Sequence, residues 1–196
     1  MRLATTDEAN ALLESDPLAL LTGMLLDQQI PMEKAFTSPA VLAERMGTPR
    51  LDAHAIATTD PDEFEALFRQ VPALHRFPAA MAKRVHELAT ILIAEYDGDA
   101  AKVWESVDDG SLLVKRIAGL PGFGDQKARI FVALLGKQYG VQPGGWREAA
   151  GSYGDEGSFR SAADVVDKDS LVKVRAFKKE QKALAKAAQP GKSERS

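Results

Sequence analysis

The segment Leu120-Pro121-Gly122-Phe123-Gly124 decides the fold, because it separates two stretches of helical periodicity. Pro121 lacks a backbone N–H and clashes with the preceding turn, so it ends the incoming helix. Gly122 and Gly124 permit a positive φ, which lets the chain reverse direction within a few residues. The Phe123 ring can turn inward and pin the turn. These residues predict a tight hairpin between two amphipathic helices.

Helix signals also dominate the rest of the chain. Asp16-Pro17 places an N-cap residue before a proline at the first helical position. Ser38-Pro39 repeats this pair, which predicts that a second helix begins there. The sequence AAMAKRVHELATILIAEYDG (79–98) has the periodicity of one long amphipathic helix. No stretch alternates apolar and polar residues over the length of a strand, so we predict an all-α fold.

We expect three parts along the chain. Residues 1–170 form one helical domain with two lobes, residues 171–189 form a basic C-terminal helix, and residues 190–196 form a disordered tail. Residues 140–160 are rich in glycine and include three aromatic residues. A loop of this length in a compact domain is usually functional or mobile.

The composition excludes several classes of site. The chain has 196 residues, of which 45% are hydrophobic and 27% charged, as is typical of a globular protein. It has no cysteine, which excludes disulfides, thiolate zinc sites, iron–sulfur clusters and a cysteine nucleophile. The first residues are acidic, unlike a signal peptide, and no window approaches the roughly 18 apolar residues of a membrane span. We therefore expect a cytoplasmic protein without a membrane segment.

The charge is unevenly distributed. Residues 1–65 contain 12 acidic and 4 basic residues, whereas residues 171–196 contain 2 acidic and 8 basic residues. A basic tail behind an acidic body can bind a polyanion such as nucleic acid, although such tails are often only solubilising. Both interpretations stay open at this point.

The hairpin has the chemistry of a phosphate-binding site. The first N–H groups of the helix that begins at Asp125 point at the tip of the turn, where the positive end of the helix dipole also lies. Lys127 and Arg129 add positive charge, whereas the Asp125 carboxylate competes for the same amides. The alternative is an ordinary helix–helix turn, since every tight turn favours glycine and proline.

Two motifs together resemble a known family. The sequence LPGFGDQKARIFVALLGKQYG (120–140) resembles the helix-hairpin-helix of the HhH-GPD superfamily of DNA glycosylases. The sequence LLDQQI (25–30) resembles a signature at the end of an early helix in the same superfamily, beside the lesion pocket. The two motifs occur in the family's order, and the resemblance covers residues 10–150. The chain looks most like an actinobacterial-type branch of this superfamily.

The resemblance implies a cleft between two helical lobes, into which a damaged base is rotated from the duplex. It implies that the hairpin backbone at Gly122, Phe123 and Gly124 contacts DNA phosphates. It also implies that the carbonyl oxygens of Ala118, Leu120 and Phe123 hold a structural Na⁺ or K⁺, and that no other cofactor is needed.

The glutamine pair is the second DNA-contacting element that the resemblance implies. Gln29 matches the glutamine that wedges or reads the duplex at the lesion, with Gln28 beside it. An amide is suited to this role because it offers a donor and an acceptor to an orphaned base edge. The alternative is a polar helix end without a role in binding.

The catalytic positions depart from the family pattern. In bifunctional members a lysine that forms a Schiff base stands where this chain has Gln126, and Lys127 follows one residue later. One residue is about 100° of rotation on a helix, so we favour a phosphate-binding role for Lys127. The family's aspartate should follow the Pro/Gly loop, but the sequence there is WRE (146–148). Asp27 and Glu148 are the candidate carboxylates; Asp27 could instead cap the next helix, and Glu148 could lie on a solvated surface.

Three further residues are candidates for DNA contact. Gln126 and Arg129 follow the hairpin on the same helix. Trp146 in the glycine-rich segment could stack on a base or wedge the duplex. The alternative for Trp146 is an anchor that packs the segment onto the body of the protein.

The sequence therefore predicts a monomer that binds double-stranded DNA in the nucleoid. The predicted activity is removal of a damaged or mismatched base by a monofunctional glycosylase. One alternative is a DNA-binding protein of the same fold that has lost catalysis, because both family catalytic positions are altered. Another is a helical interaction protein whose acidic first third binds a protein partner.

Overall fold

The computed structural model describes residues 2–187, and this range is all-α. It contains ten α-helices and no strand beyond an isolated bridge between Asp109 and Gly144. The predicted all-α fold is therefore confirmed. The helices are α1 (Asp7–Ser15), α2 (Pro17–Leu26), α3 (Met32–Arg45), α4 (Ala53–Thr58), α5 (Pro61–Arg69), α6 (Pro78–Tyr96), α7 (Gly110–Ala118), α8 (Asp125–Gln138), α9 (Trp146–Ala150) and α10 (Lys168–Ala187).

The structure describes only part of the predicted C-terminal elements. Helix α10 begins at Lys168 and is described to Ala187, so the end of the predicted 171–189 helix lies beyond it. The predicted disordered tail at 190–196 lies outside the described residues. No helix within the described part of the chain is long and apolar enough to cross a membrane.

The cap at Asp16 shows how a local signal also fixes a long-range contact. One carboxylate oxygen accepts the N–H groups of Leu18 at 2.9 Å and Ala19 at 3.1 Å, so it caps α2 as predicted. The other oxygen accepts the N–H of Leu51 at 2.9 Å. The buried cap therefore joins the start of α2 to the segment that follows α3.

The prediction that a helix begins at Ser38-Pro39 is wrong. Helix α3 begins at Met32, and Pro39 lies inside it. The Ser38 hydroxyl donates to carbonyl oxygens of the same helix and of Leu74 (2.8 and 2.9 Å) instead of capping a new helix. Phe36 and Leu42 are fully buried on either side of the proline, so packing against the core maintains the helix through it.

The helices form two groups that share one hydrophobic core. In the first group α4 and α5 pack on α6, and in the second group α7 and α9 pack on α8. Helix α2 packs on α3 and on the short 3-10 helix Ala100–Val103, which leads into the second group. Its buried residues belong to the same continuous core as those of both groups. This arrangement places the C-terminal end of α2 between the two lobes.

Candidate functional site

The hairpin between α7 and α8 has the predicted course, but its two glycines differ. Gly122 has a φ of +78°, whereas Gly124 is extended with a φ of −124°, so only Gly122 uses the positive φ that both glycines permit. A methyl group on Gly122 would lie 3.0 Å from Cγ of Leu25 and 3.5 Å from Cδ of Arg84. A methyl group on Gly124 would meet no atom within 4 Å. Gly122 therefore lies against the body of the protein, and Gly124 faces open space.

The hairpin is pinned from inside by an aromatic ring. Phe123 is 8% exposed, and its ring packs on that of Phe131 with 5.9 Å between centroids. The inward orientation predicted for Phe123 is therefore confirmed. The Phe123 N–H donates to the Leu120 carbonyl at 3.1 Å, which closes the turn.

The start of α8 presents backbone donors beside the open glycine. Its N-cap residue, Gly124, makes no side-chain capping hydrogen bond. The Asp125 carboxylate accepts from Nε of Arg129 at 2.8 Å, so the expected competition of Asp125 for the helix amides is wrong. Free amides at the positive end of a helix dipole are suited to an anionic oxygen.

The proposed cation ligands lie at the same turn. Of the carbonyls of Ala118, Leu120 and Phe123, the Leu120 oxygen already accepts the Phe123 N–H within the turn. The binding of Na⁺ or K⁺ there stays a prediction. Elsewhere in the part of the chain that the structure describes, no cluster of three or more His, Asp or Glu side chains could hold a metal ion.

Asp27 lies at the C-terminal end of α2, where the two groups of helices meet, and we call the junction around Asp27 and Lys127 the cleft. It is the C-cap residue of α2 and is half-buried. Helix α3 has Pro31 as its N-cap and makes no side-chain capping bond, so Asp27 does not cap the next helix. Burial raises the pKa of the Asp27 carboxyl above its usual 3.8, and the positive charges of Lys178 and Lys127 oppose this rise.

Lys127 enters the same cleft from the first turn of α8. Its Nζ donates to the Leu25 carbonyl at 2.8 Å and lies 5.8 Å from the centre of the Phe123 ring. Burial lowers the pKa of the Lys127 ammonium to about 8, against the charge of Asp27, which raises it. The structure thus brings Lys127 to Asp27 in a partly buried position, so the expected solvated position is wrong, and phosphate binding by Lys127 stays a prediction.

Gln28 is held on three sides beside this pair. Its side-chain amide donates to the Leu25 carbonyl at 2.8 Å, and its Oε1 accepts from Arg84 at 3.0 Å. Its backbone carbonyl lies 2.9 Å from Nε2 of His75. Because Nδ1 of His75 accepts the N–H of Phe77 at 3.0 Å, Nε2 carries the proton and donates to Gln28.

Gln29 has a different environment from its neighbour. Its side chain is exposed and its φ is +56°, a left-handed conformation that is uncommon outside glycine. Backbone strain of this kind persists where the surroundings enforce it, and it is concentrated at functional sites. The anchored Gln28 on one side supplies that constraint, so Gln29 projects from a fixed turn at the mouth of the cleft.

The other predicted residues lie away from the cleft. Gln126 is exposed and donates to the Tyr153 hydroxyl at 2.8 Å. Arg129 donates to Asp125 and to the Ala149 carbonyl, so it joins α8 to α9. Glu148 is exposed on α9, which agrees with the alternative of a solvated surface position.

Trp146 is an anchor, so its predicted contact with a base is wrong. It is 7% exposed, and its ring lies directly against Gly136, where any Cβ would collide with it. A methyl group on Gly110 would likewise meet the Trp146 backbone. Two glycines on α7 and α8 therefore make room for this residue, and no face of the ring is available for stacking.

Three residues of the cleft were not found by reasoning from sequence. Arg84 lies on α6, His75 precedes that helix, and Lys178 lies on α10, so each is far along the chain from Asp27. Ordinary amphipathic patterns surround Arg84 and Lys178, and no local motif separates them from other surface charges. For His75, the available sequence signal would have been a pattern of apolar residues that predicts this position to be buried in the core.

Comparison with known proteins identifies a matching family. Residues 22–190 match the family model described as HhH-GPD superfamily base excision DNA repair protein. No curated protein and no solved structure matches the chain. The matched range contains both the glutamine turn at residues 28–29 and the hairpin at residues 120–124. The chain belongs to the HhH-GPD superfamily of base excision DNA repair proteins.

Proposed function

We propose that this protein is a monofunctional DNA glycosylase. The hairpin binds backbone phosphates of duplex DNA, one damaged or mismatched base rotates into the cleft, and water replaces the base on the sugar carbon. The observation that supports this proposal best is the convergence of Asp27 and Lys127 beside the hairpin and the Gln29 turn.

Asp27 is the residue for the chemical step. As the bond from C1′ of the sugar to the base breaks, the electron pair leaves with the base and positive charge develops on the sugar. An ionised carboxylate in a water-poor cleft stabilises that charge, and water then adds at C1′ and loses a proton. The positive charges of Lys127 and Lys178 favour the ionised form of Asp27.

The remaining residues hold the DNA in register with Asp27. Gly124 and the first amides of α8 face open space and bind a phosphate oxygen. Gln29 enters the base stack from its fixed turn and occupies the position that the rotated base has left. Gln28 and His75 keep that turn in place.

Base release from defined duplexes tests the proposal. Duplexes with one oxidised, alkylated or deaminated base are incubated with excess protein, and single-turnover rates are measured. We expect release from at least one lesion, and a loss of roughly 10²- to 10³-fold in Asp27→Asn. Glu148→Gln is the matched control, because it neutralises an exposed carboxylate on α9, and its rate should equal that of the wild type.

Two results would contradict this assignment. Base release at the wild-type rate by Asp27→Asn would remove Asp27 from the chemical step. Binding of every duplex without release of any base would instead support the second candidate, a DNA-binding protein without catalysis. The observation that favours this second candidate is Gln126, which stands at the family's lysine position and hydrogen-bonds to Tyr153 outside the cleft.

A trapping experiment distinguishes water from Lys127 as the nucleophile. A Schiff base would form if the Lys127 amine condensed with the aldehyde of an abasic sugar and released water, and borohydride would reduce it to a stable amine. Since Nζ is held by the Leu25 carbonyl, we expect no covalent complex with abasic DNA. A complex that forms with the wild type and is lost in Lys127→Gln would assign a bifunctional mechanism.

A further inference from the structure

Helix α10 is fixed beside the entrance to the cleft. Val174 is fully buried in the common core, and Ser170 is buried at the first turn. Arg175 forms an ion pair with Glu33, which lies in the first turn of α3. Because α3 follows the Gln29 turn directly, this contact brings the middle of α10 next to the segment that contains Asp27.

One face of α10 presents positive charge toward that segment. Arg175, Lys178 and Lys182 are three and four residues apart, so they lie on one side of the helix. All three are exposed. Arg175 is paired with Glu33, whereas Lys178 is close enough to Asp27 to oppose the rise of its pKa. Arg175, Lys178 and Lys182 therefore form a basic stripe that leads from the vicinity of Asp27 along the protein surface.

We propose that α10 is a third DNA-contacting element, in which Lys178 and Lys182 bind phosphates of the strand that enters the cleft. This inference rests on the proposed DNA binding and adds a surface that neither the hairpin nor the glutamine turn supplies. The expected ligand is the sugar–phosphate backbone of double-stranded DNA, without preference for base sequence.

The charge distribution explains why the protein needs this surface. Residues 1–65 contain 12 acidic and 4 basic residues, and among the acidic ones Asp27 ends α2 and Glu33 lies in the first turn of α3. A DNA strand that approaches this side meets negative charge, which repels phosphates over several ångströms. Helix α10 brings cations to that same side, and it is held there by Val174 and by the Arg175–Glu33 pair.

The salt dependence of binding tests the inference. The full-length protein is titrated with a duplex that contains one tetrahydrofuran abasic analogue, and the dissociation constant is measured by fluorescence anisotropy from low to high salt. We compare Lys178→Gln/Lys182→Gln with Arg160→Gln/Lys173→Gln. The control pair removes the same charge, and Arg160 and Lys173 lie on the opposite flank of α10, over the Phe177 and Phe159 rings.

We expect the slope of log affinity against log salt to become shallower by about 0.9 for each lost phosphate contact in Lys178→Gln/Lys182→Gln. The control should keep the wild-type slope within about half of that change. Equal slopes in the two double variants would overturn the inference. Thermal unfolding of both variants verifies that these substitutions leave the fold intact.

The outcome is separable from that of the proposed function. A shallower slope without base release from any duplex would retain the α10 surface and refute the glycosylase activity. Base release together with an unchanged slope would retain the activity and refute the α10 surface.

Discussion

Lys127 shows how a single partly buried amine links the candidate site to the stability of the fold. Burial lowers its pKa from 10.5 to about 8 in the folded protein, whereas the unfolded chain keeps the ordinary value. Between these two values the unfolded state binds more protons than the folded state. The free energy of unfolding therefore rises as the pH increases from 8 toward 10.5.

We expect this rise to disappear in Lys127→Met. Urea unfolding of the wild type at pH 7.5 and pH 9.5 should show higher stability at the higher pH, by less than the limit of about 1.4 kcal/mol per pH unit for one proton. The half-exposed position of the side chain reduces the effect below that limit. An equal pH dependence in wild type and Lys127→Met would show that another group is responsible.

His75 makes the free energy of unfolding depend on pH in the acidic range. Burial lowers the pKa of its imidazole below 6.5, so on acidification the unfolded chain binds a proton first. The free energy of unfolding should fall as the pH decreases below about 6.5.

We expect His75→Ala to lose this acid sensitivity together with its two hydrogen bonds to Gln28 and Phe77. The unsatisfied buried groups should cost about 1–3 kcal/mol at pH 7.5, measured by urea unfolding. The Gln29 turn should also loosen, with faster amide hydrogen exchange at residues 28–30 than at the distant cap of α5. Unchanged exchange there would mean that His75 does not position the turn.

Sequence motifs pointed to single residues that lie next to them in the chain and missed residues that only the fold brings to the candidate site. Asp27 was found because it adjoins the glutamine pair in the sequence. The solvated position expected for Lys127 was wrong because its side chain is drawn toward the Leu25 carbonyl at the end of α2. The rotation of one residue along a helix does not define where that helix lies relative to α2. Arg84 and Lys178 come from other helices, and their proximity is a property of tertiary packing.

At the scale of elements, the hairpin contains one glycine that the fold requires and one that we propose binds a phosphate. Gly122→Ala should destabilise the fold by roughly 1–2 kcal/mol, because an L-residue is strained at φ +78° and its methyl group would press on Leu25. Gly124→Ala should leave the melting temperature unchanged, because the backbone is extended and the space is open.

Affinity for duplex DNA should respond in the reverse way. The methyl group of Gly124→Ala would stand where the phosphate approaches the α8 amides, so we expect severalfold weaker binding by anisotropy at unchanged stability. Full affinity in Gly124→Ala would exclude this face of the hairpin from DNA contact.

The helices themselves were largely predictable, and the exception is instructive. Asp16-Pro17 is a true N-cap, whereas Ser38-Pro39 has the same local chemistry inside α3. The difference is the Leu74 carbonyl, which accepts the Ser38 hydroxyl, and the buried residues on both sides of the proline. Trp146 is a similar case, because the two glycines that accommodate it are on other helices.

At the scale of the whole molecule, one continuous core includes residues from both lobes and from α10. Leu88 of α6, Phe131 of α8 and Val174 of α10 all belong to it. We therefore expect one cooperative thermal transition, with an unfolding enthalpy of about 140 kcal/mol near 60 °C and equal calorimetric and van't Hoff enthalpies. Two resolved transitions in differential scanning calorimetry would show that the lobes unfold independently.

The contact of Gly122 with Leu25 has a final consequence for the choice of substrate. The hairpin tip and the end of α2 touch directly, so in the proposed complex the distance between the bound phosphate and the Asp27 carboxyl is fixed by the fold. The DNA would then have to bend to reach both groups. On this proposal, duplexes that kink easily, at weakened or poorly stacked base pairs, are selected before the chemical identity of any base is read.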